Sequence, residues 1–187
     1  MKKYLVFFGS PRKEGCTSAM LRRFLEQLPG EKIIIDAYRC KDIAPCVDCR
    51  HCWQEKSCAI SDGMTEIYRQ AEACDGIIFA FPVYFHGVPA PLKQIIDRFQ
   101  VYWAGRVRGD LPQPSGKPGA ILLVGGAPLF PNQFFGAEKA CTAVLEDLGL
   151  HHLGTVTCSG SDKTPPEQQP EVLAQIDALA KRMAEEN

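Results

Sequence analysis

The stretch MKKYLVFFGSPRKEGCTSAML, residues 1–21, sets the apolar run Tyr4–Phe8 against a loop of small and hydroxyl-bearing residues that leads into a helical pattern. Two lysines ahead of an apolar run imitate a secretory signal, but this run is shorter than the roughly 7 residues such a segment needs. It is too short for a helix and rich in Val, Leu and Phe, so it predicts a buried strand. Beyond the loop, Met20, Leu21, Phe24, Leu25 and Leu28 recur at helical spacing, with Thr17 and Ser18 placed to cap the helix.

The same alternation continues along the chain. Ile33–Ile35, Gly76–Phe81 and Ala120–Val124 are further short apolar runs, and HHLGTVTCSG from His151 is a weaker fifth strand. Helical faces lie between and after them. Met64, Ile67, Tyr68 and Ala71 follow Ser61 or Asp62, and Leu92, Ile95, Ile96 and Phe99 follow Pro89 and Pro91. Ala137, Cys141, Val144, Leu145 and Leu148 run up to Gly149, and Val172, Leu173, Ile176, Leu179 and Met183 close the chain. Strand and helix in strict succession require right-handed crossovers, so the pattern predicts a single α/β domain over residues 1–187, a five-stranded parallel sheet with helices on both faces. Two connections exceed the usual length of about 2–6 residues. One is a Cys-rich insertion at 44–61; the other is GRVRGDLPQPSGKPG, 105–119, which its Gly and Pro content marks as an exposed loop.

At 187 residues the chain buries a substantial core without disulfides or a structural metal. Lys plus Arg (21) nearly cancel Asp plus Glu (22), so no strong field draws it to nucleic acid or to an anionic membrane, and a small-molecule partner is expected. The longest other apolar run, GAILLVGGA, is half or less of the roughly 20 residues needed to span a bilayer. The expected compartment is the cytoplasm, where thiols stay reduced and clustered cysteines bind metal or do redox work.

The loop GSPRKEGCTSAML lies where a parallel α/β fold receives anions: backbone N–H groups and the positive end of a helix meet a phosphate, with hydroxyls from Ser10, Thr17 and Ser18 and charge from Arg12. It is neither G-x-G-x-x-G nor a P-loop ending in Gly-Lys-Ser/Thr. By residue type alone, a tight turn into a capped helix is the competing reading. The loop resembles the G-S-P-R-x-x-G-N-T-x-x-L loop of the flavodoxin-like NADPH-dependent FMN reductase and iron–sulfur flavoprotein family. That resemblance implies the sheet order 2-1-3-4-5, one FMN per chain, and an FMN phosphate held by Ser10, Arg12, Gly15, Cys16, Thr17 and Ser18. Cys16 stands where the family usually has Asn, which removes a side-chain contact and leaves the backbone donor.

A second segment, FPVYFHGVPAPLKQIIDR, 81–98, is similar to the family's P-V-Y-x-x-x-x-x-x-x-L-K-x-x-I-D-R. The resemblance makes Pro82, Val83, Tyr84, Phe85, His86 and Gly87 the flavin-ring candidates; otherwise Phe81, Val83 and Phe85 read as core at a strand end. A third loop, GGAPLFPNQFFG, should emerge at the same sheet edge and adds Gly126 and Ala127. The Asp-Gly-Met after the cysteines is similar to the family's Asp-Asp-Met.

CVDCRHCWQEKSC, 46–58, holds Cys46, Cys49, Cys52 and Cys58 at C-x2-C-x2-C-x5-C spacing. Two-residue gaps let successive thiolates turn toward one centre, as in ferredoxin-type runs around a [4Fe–4S] cluster; structural zinc more often takes two separated knuckles. The spacing also fits the C-x2-C-x2-C-x4–7-C motif of iron–sulfur flavoproteins, where the thiolates hold a [4Fe–4S] cluster that exchanges electrons with FMN. Cluster, zinc and bare thiols all remain open at this point. Cys40 is a spare thiol beside the segment, whereas Cys74, Cys141 and Cys158 read as small buried hydrophobes.

The expected activity is an FMN-dependent oxidoreductase that takes electrons from reduced nicotinamide, NAD(P)H use being implied by the resemblance alone. The alternatives are an electron carrier reduced by a ferredoxin-like protein, and a thiol or metal sensor on the same scaffold. Small-molecule or protein electron donors and acceptors, and homodimers or homotetramers, complete what the resemblance implies. No catalytic acid or base is assigned; Tyr84 and His86 are the nearest candidates.

Overall fold

The computed structural model describes residues 1–110 and 115–186. The apolar run of the opening stretch forms strand β1 (Lys3–Phe8), followed by helix α1 (Cys16–Glu26) and β2 (Glu31–Asp36). Helix α2 (Met64–Ala73), β3 (Gly76–Pro82), α3 (Ala90–Arg98), α4 (Gln100–Arg108), β4 (Pro118–Val124), α5 (Phe135–Asp147), β5 (His151–Cys158) and α6 (Pro170–Glu185) complete the order. Every strand pairing is parallel and the sheet order is β2-β1-β3-β4-β5, as the resemblance implies. The register sets Phe8 beside Asp36 and Ala80, Ala80 beside Leu122, and Leu122 beside Val156, so all five strands end at one edge.

Side chains alternate across a strand, so the near-continuous apolar runs feed two separate cores. Leu5, Phe7, Ile77, Phe79, Ile121 and Leu123 face α2, α3 and α5, while Tyr4, Val6, Ile78, Ala80, Ala120 and Leu122 face α1 and α6. Phe7 stacks on Phe79 at 4.9 Å between ring centroids and meets Phe99 edge-on at 5.8 Å. Edge strand β2 is less covered, and Ile34 on it is 53% exposed.

Three expectations change. Thr17 and Ser18 do not cap α1; the helix starts at Cys16 behind an extended Gly15 and has no side-chain cap, because the hydroxyls lie inside the first turn. The second long connection is largely not an exposed loop. Gly105–Arg108 close α4, whose Tyr102 and Ala104 are buried, and Pro118 and Gly119 open β4 inside the sheet. Residues 111–114 of that connection lie outside the described residues. Phe99 and Tyr102, stacked at 5.8 Å, carry the chain from α3 straight into α4, and Gly109 stops it in the left-handed conformation that helix ends favour. Cys40, finally, expected as a spare thiol, is half-buried and packs against the α2/α3/α5 core. No helix among the described residues is long and apolar enough to cross a membrane.

Removal of the Phe7 ring empties a site closed on all sides. Phe7→Ala is expected to lower the urea-unfolding free energy by about 3–5 kcal/mol. Ile34→Ala, on the open edge, is expected to stay within about 1 kcal/mol of the parent.

Candidate functional site

The chain leaves β1 through Gly9, whose N–H donates to the Ala80 carbonyl at 2.9 Å and so continues the β1–β3 ladder past the strand end. Only glycine fits: a Cβ there would stand 2.7 Å from the Leu92 side chain and 2.9 Å from the Phe81 Cβ. The loop then turns at Ser10, whose hydroxyl accepts the Arg12 N–H at 3.3 Å, and Ser18 donates to the Arg12 carbonyl at 3.1 Å. These bonds shape the loop around the start of α1. An uncapped first turn directs free N–H groups and the helix's positive end into a cleft of about 280 Å3. Ser10, Arg12, Gly15, Cys16, Thr17, Pro82, Val83 and Tyr84 line it; Ser18 does not.

Past β3, the chain makes a tight turn. Tyr84 and Gly87 exchange N–H···O bonds of 3.1 and 2.9 Å, which forces Phe85 (φ 47°) and His86 (φ 62°) into the left-handed region that non-glycine residues rarely occupy. Phe85 is thereby fully exposed, so it is not the core residue its place in the sequence allowed. His86 leans on the loop after β4: its ring meets Phe130 edge-on at 5.3 Å, and its Nδ1 lies 3.4 Å from the Asn132 carbonyl. Val83, Phe85, His86, Gly126, Ala127, Phe130 and Gln133 line a second cleft of about 310 Å3. It shares Val83 and Gly126 with the first, so the two form one continuous groove along the carboxyl edge of β1, β3 and β4. Gly87 lines neither part.

The sequence reading missed the fourth wall of this groove. Beyond β5, Ser161 and Asp162 donate their N–H groups to the carbonyls of Gly125 (3.1 Å) and Gly126 (3.3 Å), which brings Ser161 and Asp162 into the first cleft. A Cβ on Gly126 would stand 2.5 Å from an Asp162 carboxylate oxygen. The signal was present in the small and hydroxyl residues of CSGSD at the end of a strand. Gln133 was also missed. Its Nε2 reaches the Ala127 carbonyl at 3.3 Å, and its buried Oε1 has no hydrogen-bond partner among the described residues.

The cysteine segment leaves the same edge after β2. Asp48 (φ 47°) and Arg50 (φ 60°) take left-handed conformations, and these reversals curl the chain so that Cys46, Cys49, Cys52 and Cys58 line one small apolar niche with Ile60, Val101 and Arg98. A short turn of helix at His51–Trp53 bears on α4, with the Trp53 ring edge-on to Trp103 at 5.3 Å. Arg108 donates to the Cys52 carbonyl from the same helix. Burial raises the Cys52 thiol pKa, and the thiols of Cys46, Cys58 and Cys49 push it the same way. No three His, Cys, Asp or Glu side chains among the described residues converge closely enough to hold a single metal ion.

The NADPH-dependent FMN reductase family matches residues 2–163 of the chain. An iron–sulfur flavoprotein of Archaeoglobus fulgidus is 36% identical over 154 residues, 81% of this chain and 73% of that protein. Another, from Methanocaldococcus jannaschii, is 39% identical over 98 residues, so the chain matches about half the length of that relative, 51% of each. The NAD(P)H:quinone oxidoreductase of Methanothermobacter marburgensis superposes with a TM-score of 0.74 at 15% identity, covering 100% of this chain and 98% of that one. A family match of that extent, on a 2-1-3-4-5 sheet whose carboxyl edge carries the groove, makes this chain a member of the flavodoxin-like NADPH-dependent FMN reductase and iron–sulfur flavoprotein family, a family of FMN-dependent oxidoreductases.

Proposed function

We propose that the continuous groove holds one FMN, with its phosphate at the start of α1 and its ring along the Tyr84–Gly87 turn, and that the four cysteines hold a [4Fe–4S] cluster. The observation that carries the reading is the groove itself: an uncapped helix start at one end and an aromatic-bearing turn at the other, joined through Val83 and Gly126. FMN, when bound, supplies hydride and single-electron chemistry, and the protein supplies its position and surroundings.

The residues divide the work by their chemistry. The first-turn N–H groups of Cys16, Thr17 and Ser18, with the Ser10 and Thr17 hydroxyls and the Arg12 charge, answer a dianionic phosphate. Asp162 repels a phosphate but accepts from hydroxyl groups, so its place in the middle of the groove suits a ribityl chain. Val83 and Tyr84 offer a flat edge to a ring, Gly126 keeps the opposite wall low, and Ala127 borders the far end. Exposed Phe85 and His86 stand at the mouth, where a reduced nicotinamide docks in this reading. At the niche, Cys46, Cys49, Cys52 and Cys58 are the ligands, and a cluster supplies one-electron exchange when bound. Self-association into homodimers or homotetramers and a reducing cytoplasmic setting belong to the same reading.

A second reading, an electron carrier without nicotinamide, is favoured by one feature: Cys46 and Cys49 are exposed, so a protein donor reaches the niche directly. Rapid anaerobic bleaching of the flavin by NADPH or NADH is expected and separates the two; reduction by a ferredoxin-like protein alone overturns nicotinamide use.

Two further outcomes test the layout. Gly126→Val puts branched carbon into the groove and Thr17→Val removes one hydroxyl at equal volume. Fluorescence titration should show FMN binding weakened on the order of a hundredfold for the first and tenfold for the second. In protein purified without oxygen, Cys49→Ala and Cys58→Ala should lose iron and acid-labile sulfide and keep FMN. Stoichiometric zinc without sulfide in the parent chain would show the cluster assignment to be wrong.

A further inference from the structure

Arg98 ends α3 with its side chain only 1% exposed, which for a guanidinium demands a reason. Its Nη1 donates to the Ala44 carbonyl at 2.8 Å and its Nη2 to the Ile60 carbonyl at 3.1 Å. Those two residues flank the cysteine segment on its N- and C-terminal sides. The same two nitrogens pair with Asp62, at 2.7 Å to Oδ2 and 3.2 Å to Oδ1. Asp62 in turn accepts the N–H groups of Ala44 and Met64, each at 2.9 Å. One planar fork therefore joins the chain before the first cysteine to the chain after the last. A lysine, with its donors on a single atom, has no equivalent geometry.

This accounts for two of the three guanidinium nitrogens. The third, Nε, is buried and has no hydrogen-bond partner among the described residues, while Arg98 itself lines the niche with the four cysteines. Buried donors are almost always satisfied, and the niche presents four cysteine sulfurs together with the acceptor-bearing side chains of Asp48 and Gln100. Cys58 already accepts one N–H, that of Ile60 at 3.5 Å.

We propose that Arg98 is the positioning residue of the four-cysteine site: its fork closes the cysteine segment at both ends, and its Nε–H is held for an anionic sulfur bound in the niche. The second half rests on the cluster assignment; the first half stands without it. Closing a long loop before its ligand arrives removes entropy that the ligand would otherwise have to overcome. A cationic donor at the sulfur also favours the more reduced, more negative state of whatever the thiolates hold.

The test separates the two halves. In a Cys58→Ala background, where no four-thiolate centre forms, Arg98→Lys should speed tryptic cleavage at the exposed Arg50 and Lys56 on the order of tenfold, by opening the segment. Equal rates with and without Arg98→Lys overturn the clasp. In the otherwise unaltered protein, purified without oxygen, Arg98→Lys should lower iron and sulfide per FMN severalfold and shift the remaining centre to a lower midpoint potential; unchanged content and potential overturn the Nε–H role. Absence of iron and sulfide from the parent chain ends the cluster assignment and, with it, the Nε–H half, and leaves the cleavage rates to decide the clasp. Where Arg98→Lys yields a chain that binds no FMN, Asp62→Asn replaces it. That variant keeps both carbonyl bonds of Arg98 but loosens the fork, so faster cleavage with FMN retained supports the clasp and unchanged cleavage overturns it.

Discussion

Parallel pairing of β1 with both β2 and β3 is the constraint on which everything else rests. A strand flanked in parallel on both sides must send its two neighbours' crossovers over opposite faces, so the loops after β1 and β3 part at one edge and leave a crevice between them. The uncapped start of α1 and the Tyr84–Gly87 turn are the two sides of that crevice. The ladder does not stop at the strand ends. Gly9 N–H to Ala80, Val83 N–H to Val124 and Gly125 N–H to Cys158, at 2.7–2.9 Å, stitch the loop roots together and hold the groove's walls on a rigid base.

Beside this groove the cysteine segment is an addition, attached by few but well-chosen contacts. Its ends meet at the Arg98–Asp62 pair and its middle rests on α4 through Trp53, Trp103 and Arg108. A buried ion pair contributes little net stability, since desolvation offsets most of its attraction. What it contributes is definition: burial opposes ionisation of Asp62, yet the Arg98 fork with the Ala44 and Met64 N–H groups outweighs it and holds the carboxyl below the usual range. The α4 helix, absent from the sequence reading, thus has a structural reason to exist: it is the floor of the niche.

Backbone strain is concentrated at the same two places. Of the non-glycine residues with positive φ, Asp48 and Arg50 bend the cysteine segment, Phe85 and His86 form the turn at the groove, and Asn132 lies in the loop that supports His86. Each such conformation costs on the order of 1–3 kcal/mol, and it persists only where surrounding contacts over-determine it. Here those contacts are the Tyr84–Gly87 bond pair, the His86–Phe130 contact and the clasp at the segment ends.

The sequence by itself determined the alternation of strands and helices, because a strand buried on both faces must be written as a short unbroken apolar run, as Tyr4–Phe8 and Ile77–Phe81 are. It also determined the Ser/Thr-bearing loop before α1, the turn after β3 and the four thiols, because each is a local pattern in which neighbouring residues act together. Edge strand β2 was legible only at its centre, Ile33–Ile35, since its end residues Glu31, Lys32 and Asp36 are polar, whereas β5 was legible from His151 onward. Tertiary structure alone decided that Thr17 and Ser18 lie inside α1 rather than ahead of it, that Phe85 points outward, and that the chain after Phe99 is helical. It alone brought Ser161, Asp162 and Gln133 to the groove and Arg98 to the cysteines. Ser161, Asp162 and Arg98 are separated from their partners by tens of positions, and only strand register and helix packing place them within hydrogen-bonding reach.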